Sequence, residues 1–152
     1  ATLMQSWYRL WQDTCDGLTD DALYERCLAM CLDVLAAQAP PQPATRAARA
    51  RVEEVRHHIA AALASSETLD SLAAPLGWSR FQLCRHFRGQ TGLTVHQYRE
   101  RLRIGRAIAR LQSGERDLTG IALSLGFTSH SHFTARFRRL VGMPPSQLTA
   151  QI

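Results

Sequence analysis

Residues 69–145 of this chain state one pattern twice, about 50 residues apart, and a tandem supersecondary unit leaves few folds open. The first copy reads LDSLAAPLGWSRFQLCRHFRGQTGLT and the second LTGIALSLGFTSHSHFTARFRRLVGMPP. Gly77 with Trp78 corresponds to Gly126 with Phe127, Phe87 to Phe137, and Gly92 to Gly142. The offsets are 49, 50 and 50, so the second copy carries one extra residue in its turn.

Each copy follows the grammar of a helix-turn-helix. A short helix carries Leu72 and Ala73, or Ile121 and Ala122, and the small Ala lets a second helix cross closely. Four residues later comes Gly77 or Gly126, at a turn position that commonly needs positive φ. Ser79, or Thr128 with Ser129, then caps the second helix, and Ser79 with Gln82 makes a capping box. Leu83 and Phe87, or Phe133 and Phe137, sit four apart and face the core, and Gly92 and Gly142 stop the helices. The units are expected at about 68–92 and 117–142. Pro75 falls inside the first short helix and is expected to bend or shorten it.

Between the copies a long helix is predicted at about 94–113, capped by Thr94 with Gln97 three residues on. Its buried set is drawn from Tyr98, Leu102, Ala109 and Leu111, and Arg99, Arg101, Arg103, Arg106 and Arg110 make it positive. At 1.5 Å per residue its eighteen residues span ~27 Å, against the ~34 Å between successive turns of the major groove. A further helix from about Thr45 to Ala64 carries Val52, Val55, Ile59 and Leu63 on one stripe, with Arg46, Arg49, Arg51 and Arg56 largely off it. No stretch alternates like a strand. The expected fold is all-α, with tandem helix-turn-helix units joined by a long helix and preceded by a short helical hairpin.

That hairpin is predicted within residues 1–38. Its first helix carries Leu3, Trp7, Leu10 and Trp11; its second, about Asp20 to Gln38, carries Leu23, Cys27, Met30, Cys31, Val34 and Leu35. Residues 39–45 hold three Pro in four positions and read as a linker. Charge reverses at the same point. Residues 1–45 hold two Arg against six acids, a balance of −4, whereas residues 46–152 hold sixteen Arg against seven, a balance of +9. The basic half suggests a polyanion partner, with a solvated surface as the plainer alternative. Every cation is Arg, whose planar fork matches phosphate and guanine edges.

Composition narrows the class. Hydrophobic residues make up 45% of the 152, ordinary for a globular protein. No run approaches the ~20 apolar residues of a membrane span, no signal peptide opens the chain, and the expected location is cytoplasmic. The absence of a starting Met suggests a fragment of a longer protein. Cys15, Cys27, Cys31 and Cys84 are read as buried apolar residues, with a redox pair at Cys27 and Cys31 as the alternative. No second Cys/His pair supports zinc, and His130 and His132, two apart, point in different directions, so neither metal nor cofactor is expected.

These residues resemble the AraC/XylS family of bacterial regulators. The second copy carries the resemblance in Ile121, Ala122, Gly126, Phe127, Ser129, Ser131, His132, Phe133, Phe137, Arg138, Arg139, Gly142, Pro144, Pro145 and Ser146. The first agrees in Ser79, Leu83, Arg85, Phe87, Thr91, Gly92 and Tyr98, and the long helix in Arg101, Leu102, Arg103 and Ala107. The likeness covers roughly residues 50–150 and implies a sequence-specific double-stranded DNA-binding regulator, not an enzyme.

In that family the outer face of each second helix enters the major groove. The resemblance therefore makes Arg80, Phe81, Gln82, Cys84 and Arg85 the first set of base readers, and His130, Ser131, Thr134 and Ala135 the second. Arg85 has the fork for guanine, Gln82 suits adenine, and Phe81 suits a thymine methyl. The alternatives are a phosphate contact for Arg85 and simple packing for Phe81. Ala135 stands where some relatives place a long polar reader, which suggests positioning more than specificity from the second unit. Phosphate contacts are assigned to Ser79, Arg88, Ser129, Arg136, Arg138, Arg139 and amides at helix starts. Full-length relatives often join an effector domain to a dimerising helix pair. Residues 3–38 look like that pair, with packing against the effector domain as the alternative, so a homodimer through 3–38, an effector bound only by a missing domain, and RNA polymerase contact by the second unit are expected. The competing classes are a helical protein-interaction adaptor and a DNA-repair alkyl acceptor using Cys84, activated by Arg85 and His86.

Overall fold

The computed structural model describes residues 19–36 and 45–150. Among them every regular element is helical: α1 Asp20–Ala36, α2 Arg46–Ala61, α3 Leu69–Ala73, α4 Arg80–Thr91, α5 Val95–Gln112, α6 Leu118–Ser124, α7 His130–Val141 and α8 Pro145–Ala150. The predicted helix of Leu3 to Trp11, Cys15 and the linker at 39–44 lie outside the described residues. Contacts divide the chain into one unit of residues 1–58 and 67–98 and another of 59–66 and 99–152.

In the first unit Val52, Val55, Leu69, Leu72, Ala73, Leu83, Phe87 and Val95 are buried, and Phe87 meets the Tyr98 ring edge-on at 5.4 Å. Pro75 acts as its chemistry requires. The α-helix stops at Ala73, and Ala74–Leu76 continue as a single 3-10 turn. Gly77 sits at φ 66°; its amide donates to Ala74 O, and the Trp78 amide to Ala73 O at 3.1 Å. This pair of bonds is a Schellman turn. The second unit repeats it, with Gly126 N–H donating to Leu123 O and Phe127 N–H to Ala122 O at 3.0 Å.

The helix before the linker differs from expectation. Its stripe of Leu23, Cys27, Cys31 and Val34 is exposed. The opposite face, with Ala22, Glu25 and Ala29, is buried, and α1 packs on α4. Two carboxylates tie this face to its neighbours. Asp21 Oδ2 accepts from Leu69 N–H at 2.9 Å, at the start of α3. Glu25 accepts from Val95 N–H at 3.0 Å and His96 N–H at 2.8 Å, at the start of α5. Helix N-termini favour anions, which adds to the packing of Ala22 and Ala29 on the same face. The buried-Cys expectation fails for Cys27 and Cys31, and contacts group α1 with the first helix-turn-helix.

The second unit packs Ile104, Ala107, Leu111, Ile121, Ala122, Leu125, Phe127, Phe133 and Phe137 into one core. On α5 the buried positions are Ile104, Ala107 and Leu111; Ala109 is exposed, and Tyr98 and Leu102 are half-buried. Arg103 is not part of a solvated basic face. Its guanidinium donates to Leu63 O at 2.7 Å, Ser65 O at 3.0 Å and Gly126 O at 2.9 Å. Burial, with the Arg99 charge adding to it, lowers its pKa to about 10, so it stays protonated at neutral pH.

Gly126 therefore meets two demands. It sits at φ 82°, and a Cβ would meet Ala64 O and Arg103 Nη2, each at 2.7 Å. At Gly77 a Cβ would meet nothing within 4 Å. Gly77→Ala is expected to cost about 1 kcal/mol, the left-handed backbone cost alone, and Gly126→Ala about 3 kcal/mol or more. Urea unfolding midpoints of the two variants check the order; equal losses would contradict the close approach at Gly126.

Candidate nucleic-acid interface

The second helix of each unit starts in the same way. Ser79 Oγ accepts from Gln82 N–H at 3.3 Å, while Ser79 N–H donates to Gln82 Oε1 at 2.9 Å, completing the capping box. In the second unit Ser129, rather than Thr128, is the cap and accepts from His132 N–H at 3.1 Å. Gly92 and Gly142, both left-handed, end the two helices. Each of these helices is thus twelve residues long with both ends defined.

On α4, Arg80, Phe81, Gln82 and Arg85 are exposed together. Phe81 is 42% exposed, so packing does not account for it, and the Arg85 guanidinium lies over its ring at 5.8 Å. Gln82 has its carboxamide oxygen on the cap. Arg80 lies over the Tyr24 ring at 5.0 Å and within 3.9 Å of Asp21 and 3.7 Å of Asp70.

Cys84 is a correction. It is 6% exposed and donates its thiol to Glu25 Oε1 at 3.9 Å. Burial pushes the thiol up to about 12, and the carboxylates of Glu25 and Asp21 push the same way. His86, stacked on Trp78 at 4.8 Å, is held below its ordinary value by burial and by Arg85. A buried thiol with its pKa raised in this way lacks the activation that the alkyl-acceptor alternative needs. Arg88 is half-buried, with Nη2 at 2.9 and 2.7 Å from the two Asp33 oxygens.

On α7, His130, Ser131, Ala135, Arg138 and Arg139 are exposed, and Thr134 is half-buried. Arg136, assigned to phosphate from the sequence, is only 4% exposed and pairs with Glu100 at 3.3 Å, so it supports the helix from behind. Its Nε donates to His132 Nε2 at 3.3 Å, which leaves the other ring nitrogen to donate to Thr128 Oγ1 at 3.0 Å. Arg139 reaches Glu100 as well, at 3.1 Å, while remaining on the surface.

Residues 72–151 match the family model described as a helix-turn-helix domain. The fold also aligns, with a TM-score of 0.64, to a Chromobacterium violaceum transcriptional regulator of AraC-type DNA-binding description. The chain belongs to the AraC/XylS family. That alignment is 28% identical and covers 70% of this chain and 96% of the other. The DNA-binding domain of AdpA, solved in complex with a target DNA, aligns with a TM-score of 0.62 and 27% identity, over 66% of this chain and 91% of that one. Among curated proteins, the transcriptional activator RhaR of Klebsiella pneumoniae is 34% identical over 109 residues, which is 72% of this chain. The chain spans 39% of the length of that relative.

Sequence reasoning missed the acids that organise this AraC-type site. Glu100, 7% exposed, is the one acid among the Arg of α5, and it joins that helix to Arg136 and Arg139 of α7. Glu25, 2% exposed, lies on the buried face of α1. The available signal was an isolated carboxylate at core spacing, since a charge there needs partners. In native protein, alkylation is expected to label Cys27 and Cys31 readily and Cys84 at least tenfold more slowly, the gap closing in denaturant. Peptide mass spectrometry reads the three sites; comparable native labelling at Cys84 would rule out its burial under α1.

Proposed function

We propose that this chain is the DNA-binding part of a transcription regulator that enters double-stranded DNA with α4 and α7, in successive major-groove faces. The observation that carries the reading is a pair of helices each capped by a serine and ended by a left-handed glycine, each presenting exposed polar side chains beside a buried aromatic core. Arg85 fits guanine, with Phe81 beside it positioned for a thymine methyl. On the second helix His130, Ser131 and Ala135 give a short, weakly discriminating surface, with Thr134 at its edge. Phosphate contacts fall to Ser79 and Ser129 at the helix starts and to the surface cations Arg138 and Arg139.

In the same reading RNA polymerase meets the exposed surface of the second unit, where Leu123 is 56% exposed. Self-association uses the outward stripe of α1, and effector sensing lies in another part of a longer protein.

Selection of bound duplexes from a random pool tests the whole reading and identifies the operator. On the selected site Arg85→Ala is expected to lose ~1–3 kcal/mol and to relax one base position. Arg138→Ala is expected to weaken all sequences alike and to reduce the salt slope by about 1. Titration by fluorescence anisotropy at several salt concentrations separates the two. An equal loss for Arg85→Ala on random DNA would move that residue from base to phosphate.

A further inference from the structure

We propose that α1 is an acidic brake on the first reading helix, holding Arg80 and Arg88 against carboxylates of this chain until DNA phosphate, or a movement of α1, releases them. The inference rests on the DNA-binding reading above. It goes beyond that reading by assigning to α1 a direct effect on affinity.

The pairing follows one edge of each helix. Arg80, Cys84 and Arg88 are spaced four apart on α4 and form one edge of that helix. Facing them on α1 are Asp21, Glu25 and Asp33, in the same order along the chain. The edge borders the exposed face of Phe81 and Arg85, so an acidic helix flanks the surface that would meet a polyanion. The central contact is buried and anchored: Glu25 is held by the first amides of α5, and Asp21 by the first amide of α3. The outer contacts are solvated. The Arg88 and Asp33 side chains are 24% and 64% exposed, and such pairs are worth little. Firm docking beneath weak outer pairs suits a competitor, because the arginines can exchange partners without undocking α1. Asp33 also lies near the C-terminal end of α1, where a negative charge opposes the helix dipole. It contributes little to the helix that carries it, and removing its charge leaves the anchors in place.

The test uses the full chain and the duplex selected from the random pool. Asp33→Asn is compared with wild type and with Asp20→Asn, which removes an equal charge from an exposed position of the same helix. Thermal melts confirm that each variant is folded. Asp33→Asn is expected to bind about three- to tenfold more tightly at 50 mM salt, with log affinity falling more steeply with log salt by about 0.9, one added phosphate contact. Asp20→Asn is expected to change affinity less than twofold. In an Arg88→Gln background the gain from Asp33→Asn is expected to vanish. Unchanged affinity for Asp33→Asn, or an equal gain from Asp20→Asn, overturns the brake and leaves DNA binding standing. Failure of every form, wild type included, to bind duplex overturns both.

Discussion

The placement of α4 and of α7 depends on one backbone bond in each unit. The amide of the aromatic residue after the glycine, Trp78 or Phe127, reaches back to the carbonyl of the packed alanine, Ala73 or Ala122. That bond closes the Schellman turn and sets where the next helix begins. It requires a left-handed residue between the partners, which Gly77 and Gly126 supply. The cap serines act only after this turn has placed them. The aromatic side chain then falls beside the reading helix, where Trp78 stacks on His86 and Phe127 meets Phe133 at 5.2 Å.

The two units use different means to brace their reading helices. In the second, support comes from within the repeat: Glu100 on α5 holds Arg136 and Arg139 of α7. The equivalent positions of α4 are His86 and Gly89, which offer no such pair; α4 is braced instead at Cys84 and Arg88 by α1, which lies before the repeat begins. The second unit contains no described counterpart of α1. The two copies of the motif therefore have unequal described surroundings.

Much of the fold was legible because it rests on local chemistry. The capping box at Ser79, the stop at Pro75 and the turns at Gly77 and Gly126 are written within a few residues of where they act. The core phenylalanines follow from helical spacing alone. What escaped was long-range pairing of charge. Arg103 looked like one of several cations on a solvated rod, yet it joins three carbonyls from two other segments. Arg136 looked like a phosphate ligand until Glu100 was placed beneath it. Cys84 lies at the border between the buried and exposed faces of α4, and only the docking of α1 decides its side. Periodicity reports apolar burial well; it does not report which acid a buried arginine meets.

Gln82 carries a consequence of its own. Pairing with adenine engages a carboxamide through both its oxygen and its nitrogen, and here the oxygen already serves the Ser79 amide. In the proposed reading, a base that bonded this oxygen would share it with the Ser79 amide or draw it off the cap. A match at Gln82 would then be partly offset by a weaker first turn of α4. Discrimination at that base step would be set by the same box that starts the helix.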